Sequence, residues 1–83
     1  MNLTENEKTF LRELQPEFNG IETISDGKDF CRECSLGSRK ARGVLSTLIQ
    51  KQVLAYSGNL PENKNCYNPI YKSKNYEEAV KEI

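Results

Sequence analysis

The chain has no histidine anywhere in its 83 residues. Histidine-based general acid–base chemistry is therefore excluded, and neither a glycine-rich phosphate loop nor a paired-carboxylate pocket stands out to replace it. Cysteine is scarce and odd in number, at Cys31, Cys34 and Cys66, which argues against a closed disulfide framework. Cys31 and Cys34 have the two-residue spacing of zinc and redox sites. With no histidine, no second pair and no fourth sulfur, four-coordinate zinc would need a carboxylate or water beside three thiolates. The ordinary reading of the two thiols is apolar core on a helix, so neither a metal nor a cofactor is expected. No apolar run approaches the roughly 20 residues that span a bilayer, and MNLTENEKTF lacks the basic start and apolar centre of a signal peptide. A soluble, cytoplasmic, non-enzymatic protein without a membrane partner is expected.

Excess charge is also missing, since twelve cations balance twelve acids. The distribution is uneven, however. Residues 1–27 hold two cations and six acids, a balance of −4, whereas residues 28–51 hold six cations and two acids, a balance of +4. The ordinary alternative to a binding face is an accidental solvated one. Eighty-three residues make one domain, residues 1–83, of modest stability.

Thr4 and Glu7 have the spacing of a capping box, after which Phe10, Leu11 and Leu14 form one apolar side that Phe18 continues. Pro16 predicts an end near Leu14 or a brief restart around Glu17. Asn19-Gly20 signals a turn, and Ile21, Thr23 and Ile24 suit a short extended piece. Ser25 or Asp26 can cap a helix over Gly27–Cys34 that buries Phe30, Cys31 and Cys34, with Lys28, Asp29, Arg32 and Glu33 outward. Ser35-Leu36-Gly37 makes a turn with Leu36 inward, and Ser38 is expected to cap the next helix. Ala41, Val44, Leu45, Leu48 and Ile49 then give the most regular amphipathic pattern in the chain. Its other side shows Arg39, Lys40, Arg42, Gly43, Ser46, Thr47 and Gln50. Gly43 lowers helix propensity by up to about 1 kcal/mol, which is explained either by close approach of a partner or by simple tolerance.

Val53-Leu54-Ala55-Tyr56 predicts a strand, Ser57–Asn65 a loop, and Cys66–Tyr71 a returning strand that Pro69 would place at a sheet edge. Tyr56, Tyr67 and Tyr71 would pack across these strands. Asn75 can cap a last helix over Tyr76–Ile83, in which Tyr76 either anchors the helix or joins Val80 and Ile83 in a dimer contact.

This order of elements resembles the winged helix-turn-helix family, which includes many small bacterial and phage transcription regulators. The pattern is carried by Phe30, Cys31, Cys34 and Leu36, by Ala41, Leu45 and Leu48, and by Lys51 before Val53-Leu54. Ser35 and Gln52 stand where the family commonly has glycine. A non-glycine at a left-handed helix end costs roughly 1 kcal/mol unless the chain exits differently.

The resemblance implies an α+β fold, a three-helix core with a β-hairpin wing and a short final helix. It also implies a transcriptional regulator that binds double-stranded DNA with helix 38–51 in the major groove. Ser38, Arg39, Lys40, Arg42, Ser46 and Gln50 would face the groove, Lys28 and Arg32 the flanking backbone, and Lys64 an adjacent groove from the wing tip. A homodimer would read half-sites about one helical turn apart. The competing expectation is a protein-interaction adaptor of phage or mobile-element origin, using the acidic first helix or the hairpin without DNA.

Overall fold

The two longest helices of this chain start and stop where a backbone donor or acceptor finds, or loses, a partner. In the computed structural model, which describes residues 1–18, 23–24, 27–56 and 69–83, the first helix α1 runs Glu5–Leu14. Its capping box forms as the sequence predicts. The Glu7 amide donates to Thr4 Oγ1 at 3.1 Å, and the Thr4 amide donates to Glu7 Oε1 at 2.8 Å. Pro16 has no amide hydrogen to continue the helix, and Gln15–Phe18 tightens into a 3-10 turn that swings Phe18 into the core at 3% exposure.

A two-residue strand, β1 (Thr23–Ile24), leads to α2 (Gly27–Glu33), which ends one residue before the expected Cys34. Cys31 and Cys34 are buried as expected, while Phe30 is half-buried and meets Phe10 edge-to-face at 5.2 Å. The turn into α3 (Ser38–Gln50) needs a left-handed residue, and Gly37 supplies it at φ 89°. Ser35 therefore has no need of glycine's freedom. Ser38 is not the cap that its type suggested. Gly37 occupies the cap position, Ser38 is the first helical residue, and no side chain closes the end. Leu36 is half-buried against the core rather than fully within it.

The stripe on α3 behaves as its spacing requires: Ala41, Val44, Leu45 and Leu48 are buried, and Ile49 packs at the margin. The helix stops in a Schellman arrangement, with the Gln52 amide donating to Ile49 O at 3.0 Å and the Val53 amide to Leu48 O at 2.9 Å. Gln52 adopts φ 61°, the left-handed conformation usually given to glycine. The chain does not exit differently. It is braced from outside, because the Asn75 amide donates to Gln52 O and the Asn75 side-chain amide to Lys51 O, each at 2.9 Å. Leu48 and Val53, both fully buried, add the apolar contact that accompanies this motif.

β2 (Leu54–Tyr56) and β3 (Ile70–Lys72) pair antiparallel, with Ala55 opposite Tyr71 and Tyr56 opposite Ile70. β1 joins the other side of β3, Ile24 opposite Ile70, so the order is β1-β3-β2. The returning strand is thus central, not the edge that Pro69 implied. Pro69 precedes the first paired residue, so its missing amide removes no ladder bond. Tyr71, expected to pack across strands, is 38% exposed; its neighbour Ala55 has too little side chain to cover it. The last helix, α4, covers Tyr76–Val80 and stops short of Ile83. Asn75 stands at its cap position without a side-chain capping bond, because that side chain is engaged with Lys51 O. Tyr76 is buried and packs edge-to-face on Phe18 at 5.4 Å, so it anchors the helix. Asn19-Gly20, Ile21, the Ser25 or Asp26 cap, the 57–65 loop, Cys66 and Tyr67 lie outside the described residues.

The result is a small α+β domain with, among the described residues, four α-helices and an antiparallel sheet. No helix of the described residues is long and apolar enough to cross a membrane. Because Gln52 holds a left-handed conformation that glycine adopts without steric cost, Gln52→Gly is expected to raise unfolding free energy by about 0.5–1 kcal/mol. Urea unfolding of both proteins measures it, and the slope against denaturant should not change.

Candidate nucleic-acid interface

The outward side of α3 is built from spacing. At about 100° per residue, Arg39, Gly43, Ser46 and Gln50 fall along one strip, with Arg42 beside it on one flank and Lys40 on the other. All six are exposed, over a helix about 20 Å long. Among the described residues no carboxylate lies within ion-pair distance of Arg39, Lys40 or Arg42. Arg42 Nη2 donates instead to Ser38 Oγ at 3.2 Å, which holds that guanidinium along the first turn of the helix. Leu36, Gly37, Ser38, Arg39 and Lys40 line a shallow, open cavity of about 500 Å³ at the helix start.

The other expected contact residues separate. Lys28 is exposed in the first turn of α2, which packs against α3. Arg32 is 69% exposed but bonds Asp29 at 3.2 Å one turn earlier, so its charge is partly balanced. Lys64 lies outside the described residues.

Two polar clamps behind this face were not anticipated. The Glu7 carboxylate is only 2% exposed and takes hydrogen bonds from three directions. Besides the Thr4 amide, Lys51 Nζ donates to Oε1 at 2.6 Å and Thr47 Oγ1 to Oε2 at 2.6 Å. Burial works to raise this carboxyl, but the bonds from Lys51, Thr47 and Thr4, with the Lys51 charge, outweigh it and hold Glu7 below the usual glutamate range. Lys51 also donates to Asn2 O at 2.7 Å, so this cation belongs to the fold rather than to the outer face. The signal for Glu7 was present in the sequence: at i, i+3, i+4 and i+7, it shares the apolar stripe of Phe10, Leu11 and Leu14.

The second clamp holds the turn between α2 and α3. The Ser35 amide donates to Glu13 Oε1 at 3.0 Å, and the Ser35 hydroxyl donates to Glu13 Oε2. These bonds, hydroxyl first, hold Glu13 below its ordinary range. Together the clamps tie α1 to the turn between α2 and α3 and to the end of α3.

On the far side, Lys72 Nζ sits 5.3 Å from the ring centroids of both Phe18 and Tyr76, a cation–π contact that keeps this charge near α4. Burial, then the neighbouring Cys34, pushes the Cys31 thiol up, and burial raises Cys34 likewise. Both stay protonated near neutrality and serve as core.

Both clamp carboxylates have folded pKa values below their unfolded ones, near 4.3 for glutamate. Their stabilisation is therefore complete above that value and is lost as pH falls through the lower, folded value. Acid unfolding followed by circular dichroism should show stability declining below about pH 4. Glu7→Gln should cost about 2 kcal/mol at neutral pH, less than a fully buried pair because Lys51 is 34% exposed. Lys51→Met should cost more, about 3 kcal/mol, since it strands the better-buried partner, and part of that loss should vanish at low pH. Equal losses from both substitutions at all pH values would contradict the clamp.

Comparison with known proteins matches the chain to no family model, no curated protein and no solved structure. The functional reading therefore rests on the residues and their geometry.

Proposed function

We propose that this chain is a winged helix-turn-helix domain that binds double-stranded DNA, with α3 entering the major groove, and that it acts as a transcriptional regulator. The order helix, strand, helix, turn, helix, strand, strand supports the fold reading. The observation that carries the binding reading is the strip on α3. Arg39, Arg42, Ser46 and Gln50 are exposed together, and no described carboxylate pairs with either arginine.

The roles follow from side-chain chemistry. Arginine presents a planar fork that matches guanine O6 and N7 or a phosphate, and glutamine matches adenine N6 and N7. Arg39 and Arg42 in the first turns of α3 are the candidates for guanine edges, and Gln50 for an adenine further along. Lys40 on the flank and Lys28 on α2 would pair with phosphates and set the register of the helix. Ser38 would join them through the α3 N-terminus, whose amides have no side-chain cap and whose dipole favours anions.

One observation favours a protein partner as the second reading. Tyr71 on the central strand is exposed beside the small Ala55, and a solvent-facing aromatic of this kind suits an adaptor surface.

A salt series separates the two. With Lys40 and Lys28 on phosphates, log affinity for duplex DNA should fall with log salt at a slope of about −1.8, or −0.9 per phosphate. The double substitution Arg39→Glu and Arg42→Glu should abolish retention on heparin and DNA-cellulose while leaving the fold intact, since both side chains face solvent. Elution that ignores both the salt and the substitutions would hand the surface to the adaptor reading.

A further inference from the structure

Gly43 sits in the middle of α3 with an ordinary helical backbone, since the only described glycine with positive φ is Gly37. Among the described residues, a Cβ added at Gly43 would meet nothing within 4 Å. Neither conformation nor packing among the described residues requires glycine here, yet glycine is the poorest helix former after proline. Its place on the helix is specific. Arg39 lies one turn before it and Ser46 and Gln50 follow it on the same strip, with Arg42 alongside. The longest side chains of the face thus surround a bare stretch of backbone.

We propose that Gly43 is a specificity-determining contact position, where the backbone of α3 closes on the groove floor and receives the 5-methyl group of a thymine. This rests on the DNA reading above and adds where the helix comes closest and which base it meets. The chemistry of the notch decides the occupant. Its floor is the Gly43 α-carbon, and the amides around it are engaged in the helix's own hydrogen bonds. A polar base-edge group placed there would lose water without gaining a partner, whereas a methyl group loses nothing. In the major groove only thymine offers an apolar group. The groove is about 12 Å wide, close to the diameter of a helix with its side chains, so one bare position at the centre of the face governs how deeply it seats. Arg39 and Arg42 would read guanines on either side of that thymine.

The test uses the whole chain. Duplexes are selected by the wild-type protein from a random-sequence pool, and Gly43→Ala is then measured on a selected duplex and on the unselected pool. The substitution should raise the urea midpoint, weaken binding to the selected duplex about tenfold and leave pool binding unchanged. Replacing thymine by deoxyuridine, one position at a time, should weaken wild-type binding at one position and leave Gly43→Ala insensitive there. If Gly43→Ala binds the selected duplex as tightly as wild type, or no deoxyuridine matters, the contact is overturned while the DNA reading stands. If the wild-type protein binds no duplex and Arg39→Glu changes nothing, the DNA reading fails and the contact falls with it.

Discussion

One carboxylate, that of Glu7, joins the beginning of α1 to the end of α3. It completes the α1 capping box through the Thr4 amide and receives Thr47 and Lys51 from the last turns of α3. A carboxylate this deeply buried is tolerated only when its lone pairs are filled, and here three donors fill them. The consequence for the outer face is geometric. α3 cannot rotate about its axis without pulling Thr47 and Lys51 off Glu7, so the direction in which Arg39, Arg42 and Gln50 point is fixed from the flank of the helix that also carries Lys40. The Glu13–Ser35 contact performs the same service at the turn, and α1 becomes a splint along α3.

Where the chain could be read from its sequence, the information was local. The Thr4–Glu7 box, the stop at Pro16 and the α3 stripe all operate within one or two helical turns, and each appears where the residues put it. The exposed side of α3 follows from the same periodicity, which is why its candidate residues share one face. Most of what failed was non-local. Glu7 reads as a cap from its neighbours, but its decisive partner lies 44 residues away. β1 has two residues, too few to reveal that it would pair with β3 and make that strand central. Asn75 and Ser38 carry the residue types of helix caps. The first is drawn off by Lys51 O, and the second is displaced by the left-handed Gly37. Arg32 looked available until its pairing with Asp29, at a spacing that is itself legible, is counted.

The electrostatics show a division of labour that net neutrality conceals. Lys51 and Arg32 are held by carboxylates and Lys72 by two aromatic rings, whereas Arg39, Lys40 and Arg42 gather on one helix without acidic partners among the described residues. A molecule of this kind has a weak long-range field and a strong local one. Steering toward a polyanion over tens of ångströms needs net charge, and this chain has none. Attraction at contact needs only the local cluster, which acts within the roughly 8 Å over which physiological salt leaves charges unscreened.

That balance bears on what such a face can select. A strongly basic domain binds any duplex well through phosphates, and base contacts then add discrimination on top of a large sequence-independent affinity. With few cations available, the phosphate contribution is small, so a larger share of any useful affinity must come from fit at the base edges. Fit of that sort demands a helix held in one orientation and a surface shaped to the groove. On the proposed DNA reading, the Glu7 and Glu13 clamps would meet the first demand, and the bare backbone at Gly43, set among longer side chains, would meet the second. On that same reading, the splint beside α3 and the notch in front of it would be two parts of one requirement: a weakly charged reader must be stiff and closely fitted to discriminate at all.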